Sequence, residues 1–555
     1  MTKNSGSRLF VALVFLLGPA LARGQVTVQI GLNFTGSVGG LISQALPPDP
    51  NGVIGPTRFM EFINGTVAIY NRTNGTSVVR KTDLKFWSDA GLNTSAIAVS
   101  DPRVIYDPTV QRWFATQIDL DPSASDPTAE ANDFLLAVST TSSPTGPWLA
   151  FRIPSDPDNG DFADFPTLGV DSNAVYISGD YYTNSVPMGP GLVSIPTADL
   201  IAATPTIANM TWYGVMDIAD RGQVMQPSTC LDGSESGSVL AMGDVGTTSD
   251  SYSNIICSVV QNAGTASPTL AAPVSLTVAP YQIPDNDILM VPALVAVQPD
   301  GTMLLQANDG RISAKSFAVD GVLYAAHNTE LNGHIAIQWY RIRASDQTLL
   351  EQGVIADPNL DLFMPSIAAN QYGIVVICCN GSGAGANQFI SCYAYAGQTV
   401  NGRTTFGSSV LLKAGALNYH DLNDVLGQLF DVPALSRWGD YSTLSVDAAD
   451  PTQFWSEQMY PSGEDTGTGL GDTLWSTQIT QLIVTAPPTL AIVPAGTNVV
   501  VSWPLYASSY QLFSATNLTP PVAWSSVPQN SSTNGQVIGV TVPRTSINQF
   551  FRLQK

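Results

Sequence analysis

The sequence predicts an all-β chain, a seven-bladed β-propeller followed by a small β-sandwich. Three observations predict it. A strand-opening residue followed five positions later by a turn residue recurs from residue 50 to residue 447. Charged residues are only 12% of the 555-residue chain, whereas 44% are hydrophobic, and Gly and Pro are abundant at 47 and 38. That balance supplies cores and turns rather than disorder. Residues 489–555 then offer short strands at sandwich spacing.

Residues 100–119, SDPRVIYDPTVQRWFATQID, display the frame most clearly. Pro cannot donate to a sheet ladder, so Pro102 suits the first residue of a strand. Asp107-Pro108-Thr109 suits a tight reversal, because Asp caps its own backbone and Pro presets φ. The same pairing joins Pro166 to Asp171, Pro227 to Asp232 and Pro365 to Asn370. Weaker versions join Pro50 to Gly55, Lys315 to Asp320 and Ser442 to Asp447. An apolar or aromatic strand follows each turn, and successive openings lie 52, 64, 61, 88, 50 and 77 residues apart. Periods of that size with several strands each mark propeller blades.

The N-terminus predicts secretion. Lys3 and Arg8 precede the apolar run LFVALVFLLGPALA, and Ala20-Leu21-Ala22 offers a small-x-small cleavage site. No other apolar stretch reaches the length of a membrane span, so none is expected. Removing residues 1–24 takes away Lys3, Arg8 and Arg23, leaving 19 basic against 44 acidic residues and a net charge of -25. Such a chain repels nucleic acid and anionic lipid and favours neutral or cationic ligands.

The domain plan is a signal peptide over 1–24, the propeller over 25–484, a linker over 485–488 and the sandwich over 489–555. Residues 26–34 alternate apolar and polar and are expected to complete the last blade. The Pro-rich stretch 267–287 is expected to lie outside its blade. Trp503 is the natural core residue of the sandwich.

Several chemistries lack their residues. There is no CxxC or HExxH, and only His327, His334 and His420 are present, which argues against zinc. GxSxG and Gly-rich phosphate loops are missing too. Five cysteines exclude a full set of internal pairs. Cys378 or Cys379 could pair with Cys392, and Cys230 with Cys257; a reduced, buried set fits equally well.

In a propeller, residues just before the blade openings converge on one rim. Here they are Asp49, Asp101, Asp164 with Phe165, Gln226, Met364, and Asp440 with Tyr441. The acids Asp49, Asp101, Asp164 and Asp440 are candidate catalytic residues. Glycoside hydrolysis needs one carboxyl as acid and another as base or nucleophile, and crowding raises one pKa into the acid role. Asp before Pro also forms turns and caps backbone, so structural capping fits the same residues. Arg103, Arg437, Trp438 and Tyr441 are candidate ligand-binding residues, through stacking and carboxylate recognition. Asp156, Asp158 and Asp161 form an oxygen-rich loop that could hold calcium, the one cofactor the sequence points to. An EF-hand would need an acid where Thr167 stands, and a solvated loop fits as well.

Three resemblances add to this. The turn SSPTGP before Trp148 resembles an Asp-box of sialidase-like propellers, without its acid. The Asp-Pro openings at Asp49 and Asp101 resemble those of propeller glycosidases, which implies a catalytic-base role there. The VSWP…YQL…W…FFRL pattern of residues 489–555 resembles fibronectin type III-like modules of secreted proteins. The expected protein is a secreted monomer binding carbohydrate or another cell-surface polymer through an acidic rim. A sialidase-like or other glycoside hydrolase is the first alternative. An adhesion scaffold with protein partners is the second.

Overall fold

The computed structural model describes residues 26–243, 251–283, 285–286, 291–292, 295–301, 304–423, 425, 435–528, 531–544 and 548–555. The predicted signal peptide lies outside them. Thr27–Thr485 forms one compact unit and Ala486–Lys555 belongs to a second. Among the described residues, no helix is long and apolar enough to cross a membrane.

The larger unit is all-β and propeller-like. Its strands fold as consecutive antiparallel meanders, the first three starting at Asn51–Ile54, Ala98–Asp107 and Phe162–Val170. A nine-stranded sheet follows, because Gln223–Cys230 and Ser316–Val319 pair in parallel and so join two meanders. The next sheet starts at Asp361–Ala369 and the last at Thr443–Val446. The first strand of each meander packs on the first strand of the next, and Thr443–Val446 packs back on Asn51–Ile54, closing the circuit. Thr27–Val38 joins the last sheet by pairing with Thr473–Thr485 across the whole intervening chain.

The recurring turn residue works as its chemistry predicts. The Asp107 carboxylate accepts from Thr109 N at 2.7 Å, Asp171 from Asn173 N at 2.7 Å and Asp232 from Ser234 N at 3.0 Å. The Asn370 carbonyl oxygen accepts from Tyr372 N at 2.9 Å, and Asp447 accepts from Ala449 N at 2.9 Å. Each side chain thus replaces a backbone acceptor where the first strand reverses. The apolar strands that follow carry large buried rings, among them Trp113, Tyr324 and Trp455.

The strand openings hold a feature that composition does not announce. Asp49, Asp101, Phe165, Val224 and Met364 have φ between 49 and 61°, the left-handed region. The ladder skips at the same places, between Ser100 and Arg103, Asp164 and Thr167, Gln223 and Gln226, and Phe363 and Ser366. These are β-bulges, which bend a strand and re-aim its side chains. Left-handed φ is costly for a non-glycine residue, most of all for β-branched Val224.

One expectation needs correction, and one pair of alternatives is decided. The Pro-rich stretch does not stay outside its sheet: Val274–Tyr281 pairs with Tyr252–Gln261. All five cysteines are free and buried. Cys230 and Cys257 stand on strands separated by Ser238–Met242, two strand spacings and beyond the Cα separation a disulfide spans. Cys392 faces Asn380 across its ladder, and Cys378 and Cys379 face Ala394 and Tyr393.

The smaller unit has two sheets. Asn498–Pro504 lies between Ala491–Ala495 and Val537–Pro543, with Ser531–Asn534 at the edge; Gln511–Ala515 lies between Ser525–Ser526 and Phe550–Gln554. Trp503 is buried with Val501, Leu512 and Val540 in its core.

Gly52 provides a stability test. A Cβ there would run into the Glu457 carboxylate and the Phe59 ring. Gly52→Ala is expected to lower stability by roughly 1–3 kcal/mol, the usual cost of overpacking, read as a lower denaturant midpoint at unchanged slope.

Candidate functional site

The bulged openings bring together acids that are far apart in sequence. Asp49 Oδ1 accepts from Asp440 N at 2.8 Å, and Asp49 Oδ2 accepts from Asn64 Nδ2 at 2.9 Å. The other end of that amide binds the next opening, because Asp101 N donates to Asn64 Oδ1 at 2.8 Å. Asp101 also accepts from Ser100 Oγ at 2.8 Å. Asp440 accepts from Arg437 Nη2 at 2.8 Å and from Asn308 Nδ2 at 3.2 Å. Asp164 sits across its ladder from Asp180. Arg311 grips Asp309 with two hydrogen bonds at 2.9 and 2.8 Å and approaches Asp180 at 3.7 Å.

All four candidate acids therefore lie at one end of the circuit. Asp49, Asp101 and Asp440 are buried and Asp164 is half-buried. Crowding has the expected electrostatic result. Burial, then Asp440 and Asp101, hold Asp49 well above the usual carboxylate range. Burial, then Asp164 and Asp440, push Asp101 up to about 7. Asp164 is raised by burial and by Asp440, and burial raises Asp180 to about 6 against the pull of Arg311. Among the described residues, Asp49, Asp101 and Asp440 also form the one group whose carboxylate oxygens all lie within 4.8 Å, close enough for a hard cation to bridge.

The candidate ligand-binding residues separate into two kinds. Arg437 is at the surface, with its side chain 46% exposed, and burial fails to offset the Asp440 charge that raises its pKa. Trp438 and Tyr441 are each only 1% exposed and cannot stack on a ligand. Trp438 donates to Asn380 Oδ1 at 3.1 Å and packs edge-on against Tyr419. Tyr441 donates to Pro102 O at 3.1 Å and lies 3.4 Å beneath the Arg103 guanidinium. Arg103 is equally buried, with Phe165 and Tyr441 on its faces and Phe165 also against Arg311. Arg103, Phe165 and Tyr441 form a floor under the acids rather than a rim.

The loop with Asp156, Asp158 and Asp161 is committed to its own structure. Asp156 accepts from Asp158 N at 3.0 Å and Asp161 N at 3.2 Å, Asp158 accepts from Trp212 Nε1 at 3.1 Å, and Asp161 accepts from Thr183 Oγ1. The three carboxylates do not converge as a calcium site would require. In the acidic loop over residues 119–133, Asp121 and Asp126 likewise accept from Ser123 N and Thr128 N.

Asn64, Asp180, Asn308, Asp309 and Arg311 belong to the site and were not anticipated. Asn64 precedes Gly65 and reads as a hairpin turn, which gives no sign of its bridge between two strand openings. Asn308, with φ of 64°, lies where the sequence shows no frame.

No family model and no curated protein sequence matches the chain. Solved structures align with the chain at low similarity. A hypothetical selenium-binding protein from Sulfolobus tokodaii aligns with a TM-score of 0.38 and 10% identity, covering 64% of this chain and 76% of its own. An α-L-arabinofuranosidase from Fusarium graminearum aligns with 0.28 and 12%, covering 68% and 92%. The Trypanosoma rangeli sialidase aligns with 0.29 and 12%, covering 90% of this chain and 59% of its own.

The raised carboxylates set the pH dependence of stability. An acid whose folded pKa exceeds its unfolded value binds protons more tightly when folded, so stability falls as pH rises between the two values. For Asp101 that window runs from the ordinary carboxylate value of 3.8 to about 7, and for Asp180 to about 6. Thermal unfolding is therefore expected at higher temperature at pH 5 than at pH 7.5. Asp101→Asn should flatten the slope over that range, and an unchanged slope would remove Asp101 as its source.

Proposed function

We propose that this is a secreted protein whose ring of seven blades carries a carbohydrate- or surface-polymer-binding mouth, followed by a fibronectin type III-like sandwich. The closed circuit of first strands supports the count of seven, with the nine-stranded sheet taken as two blades joined at their inner strands. The N-terminal run supports secretion.

One observation carries the binding reading: Asp49, Asp101, Asp164 and Asp440 are gathered at one end of the ring, beside the exposed Arg437. Carboxylates with spare lone pairs accept the multiple hydroxyl donors of a sugar. The excess of acid favours neutral or cationic polymers over polyuronates. Burial of Trp438 and Tyr441 leaves hydrogen bonding rather than ring stacking as the means of recognition at this site.

Glycoside hydrolysis is the second reading, and Asp101 favours it. A carboxyl with a pKa of about 7 retains the proton that a general acid must donate. Asp49 and Asp440 each bring a carboxylate oxygen within 4.8 Å of one on Asp101, near the spacing of about 5–5.5 Å found in retaining glycosidases. Asp101 is then the acid, and Asp49 or Asp440 the nucleophile.

Calcium is proposed at Asp49, Asp101 and Asp440, in place of the loop at Asp156. A cation there would relieve the repulsion among the three carboxylates. Millimolar calcium is expected to raise the unfolding temperature at pH 7.5 more than magnesium does, and to lose that effect in Asp440→Asn. Equal shifts with both ions would discard the site.

A glycan array and a panel of aryl-glycosides separate binding from hydrolysis. Binding without turnover, weakened at least tenfold in Asp101→Asn, supports the binder. Turnover abolished by the same change supports the hydrolase. Neither binding nor turnover would defeat both readings.

A further inference from the structure

At the other end of the first strands from the acidic mouth, a cleft of about 620 Å³ lies where two meanders meet. One wall belongs to the meander opened by Gln223–Cys230 and carries Ser234, Glu235, Ser236 and Val259. The other belongs to the meander opened by Ser316–Val319 and carries Asp320 and Val322. That volume is in the usual range for small-ligand sites.

Glu235 sets the chemistry of the cleft. Both of its carboxylate oxygens are buried, and neither has a hydrogen-bond partner. Ser238 acts on it only from outside hydrogen-bonding geometry. Arg343, the cation on the opposite wall, is already paired with Asp346 at 2.9 Å. The loop that carries Glu235 is anchored on both sides. Asn173 Nδ2, from the preceding meander, donates to Ser236 Oγ at 2.9 Å, and Gly237 N donates to that meander's Asp171 Oδ2 at 2.8 Å. From the following meander, Asp320 N donates to Asp232 Oδ2 at 2.8 Å. Carboxylate oxygens removed from water without a donor are costly. The fold therefore holds in place a group whose partner must come from outside the chain.

We propose that this cleft binds a small aliphatic amine, whose ammonium group donates to Glu235. An ammonium brings donors and compensating charge together, where water or a neutral hydroxyl brings donors alone. Val259, Ala272 and Val322 offer apolar surface to a short alkyl chain. Asp320, exposed on the same cleft, adds a second negative charge and disfavours anions. The cleft shares no residue with the acidic mouth and does not depend on what binds there.

Calorimetric titration of the full-length protein with putrescine, and with the uncharged butanediol of the same chain length, tests the proposal. A background of about 0.15 M salt screens the general attraction of a chain with net charge -22 for any dication. Working at pH 8 keeps Glu235 ionised, because burial raises its pKa to about 7. Putrescine is expected to bind saturably and butanediol at least tenfold more weakly, with Glu235→Gln weakening putrescine at least tenfold. Crystals of the unaltered protein soaked in putrescine should show an amine nitrogen within hydrogen-bond distance of Glu235, a readout that stands even if the variant fails to fold. Equal affinity for the two probes, putrescine binding untouched by Glu235→Gln, or soaked crystals with only water at Glu235 would overturn the proposal.

Discussion

The larger unit depends on how it satisfies the inner edges of its first strands. Each of these strands has an antiparallel partner in its own meander on one side, and its other edge turns inward. Backbone groups left unpaired in a protein interior are costly. Gln223–Cys230 and Ser316–Val319 solve this by pairing with each other. Elsewhere side chains reach across: Arg103 to Pro166 O and Ser313 O, Lys315 to Val104 O, Thr167 to Met225 O and Ser442 to Met364 O. Arg103 alone links three of the meanders. A long cation with a planar fork suits this task, because one guanidinium can donate to several carbonyls at fixed angles.

That bracing also separates the interior into an acidic mouth and a basic floor. Arg103 lies on Tyr441, Arg311 on Phe165, and the two rings meet edge-on at 5.8 Å. Guanidinium groups on aromatic faces retain some compensation for lost water. The acids above them are held by neutral donors, mainly Asn64, Asn308 and backbone N–H groups. Neutral donors fix the carboxylates in place without cancelling their charge, so burial first, and neighbouring acids next, move Asp49, Asp101 and Asp164 toward the protonated form.

Local chemistry was legible in the sequence, and long-range chemistry was not. Asp107, Asp171, Asp232, Asn370 and Asp447 each bond to backbone two residues on, so spacing alone marked where the first strands turn. The convergence of Asp49, Asp101, Asp164 and Asp440 followed from that frame. The burial of Trp438 and Tyr441 did not, because the direction of a side chain beside a bulge depends on a one-residue slip of register. The choice between paired and reduced cysteines was open in the sequence for a related reason. Nearness in sequence across a hairpin does not put Cys378 or Cys379 opposite Cys392, and the ladder places Asn380 there. Asn64 had a sufficient local explanation as a turn residue, which hid its second task.

The clasp between Thr27–Val38 and Thr473–Thr485 governs the order in which the chain can mature. Leu32 N donates to Gln481 Oε1 at 2.9 Å, and Thr35 shares a hydrogen bond of 2.8 Å with Tyr460, so the leading strand must wait for partners synthesised more than four hundred residues later. Until they emerge, an amphipathic β-segment and the open side of the last sheet stay available to other chains. Contacts of such sequence separation are slow to form. Ring closure is thus the step at which this chain is most exposed to misassembly, and a partner that occupied Thr27–Val38 beforehand would hold the whole circuit open.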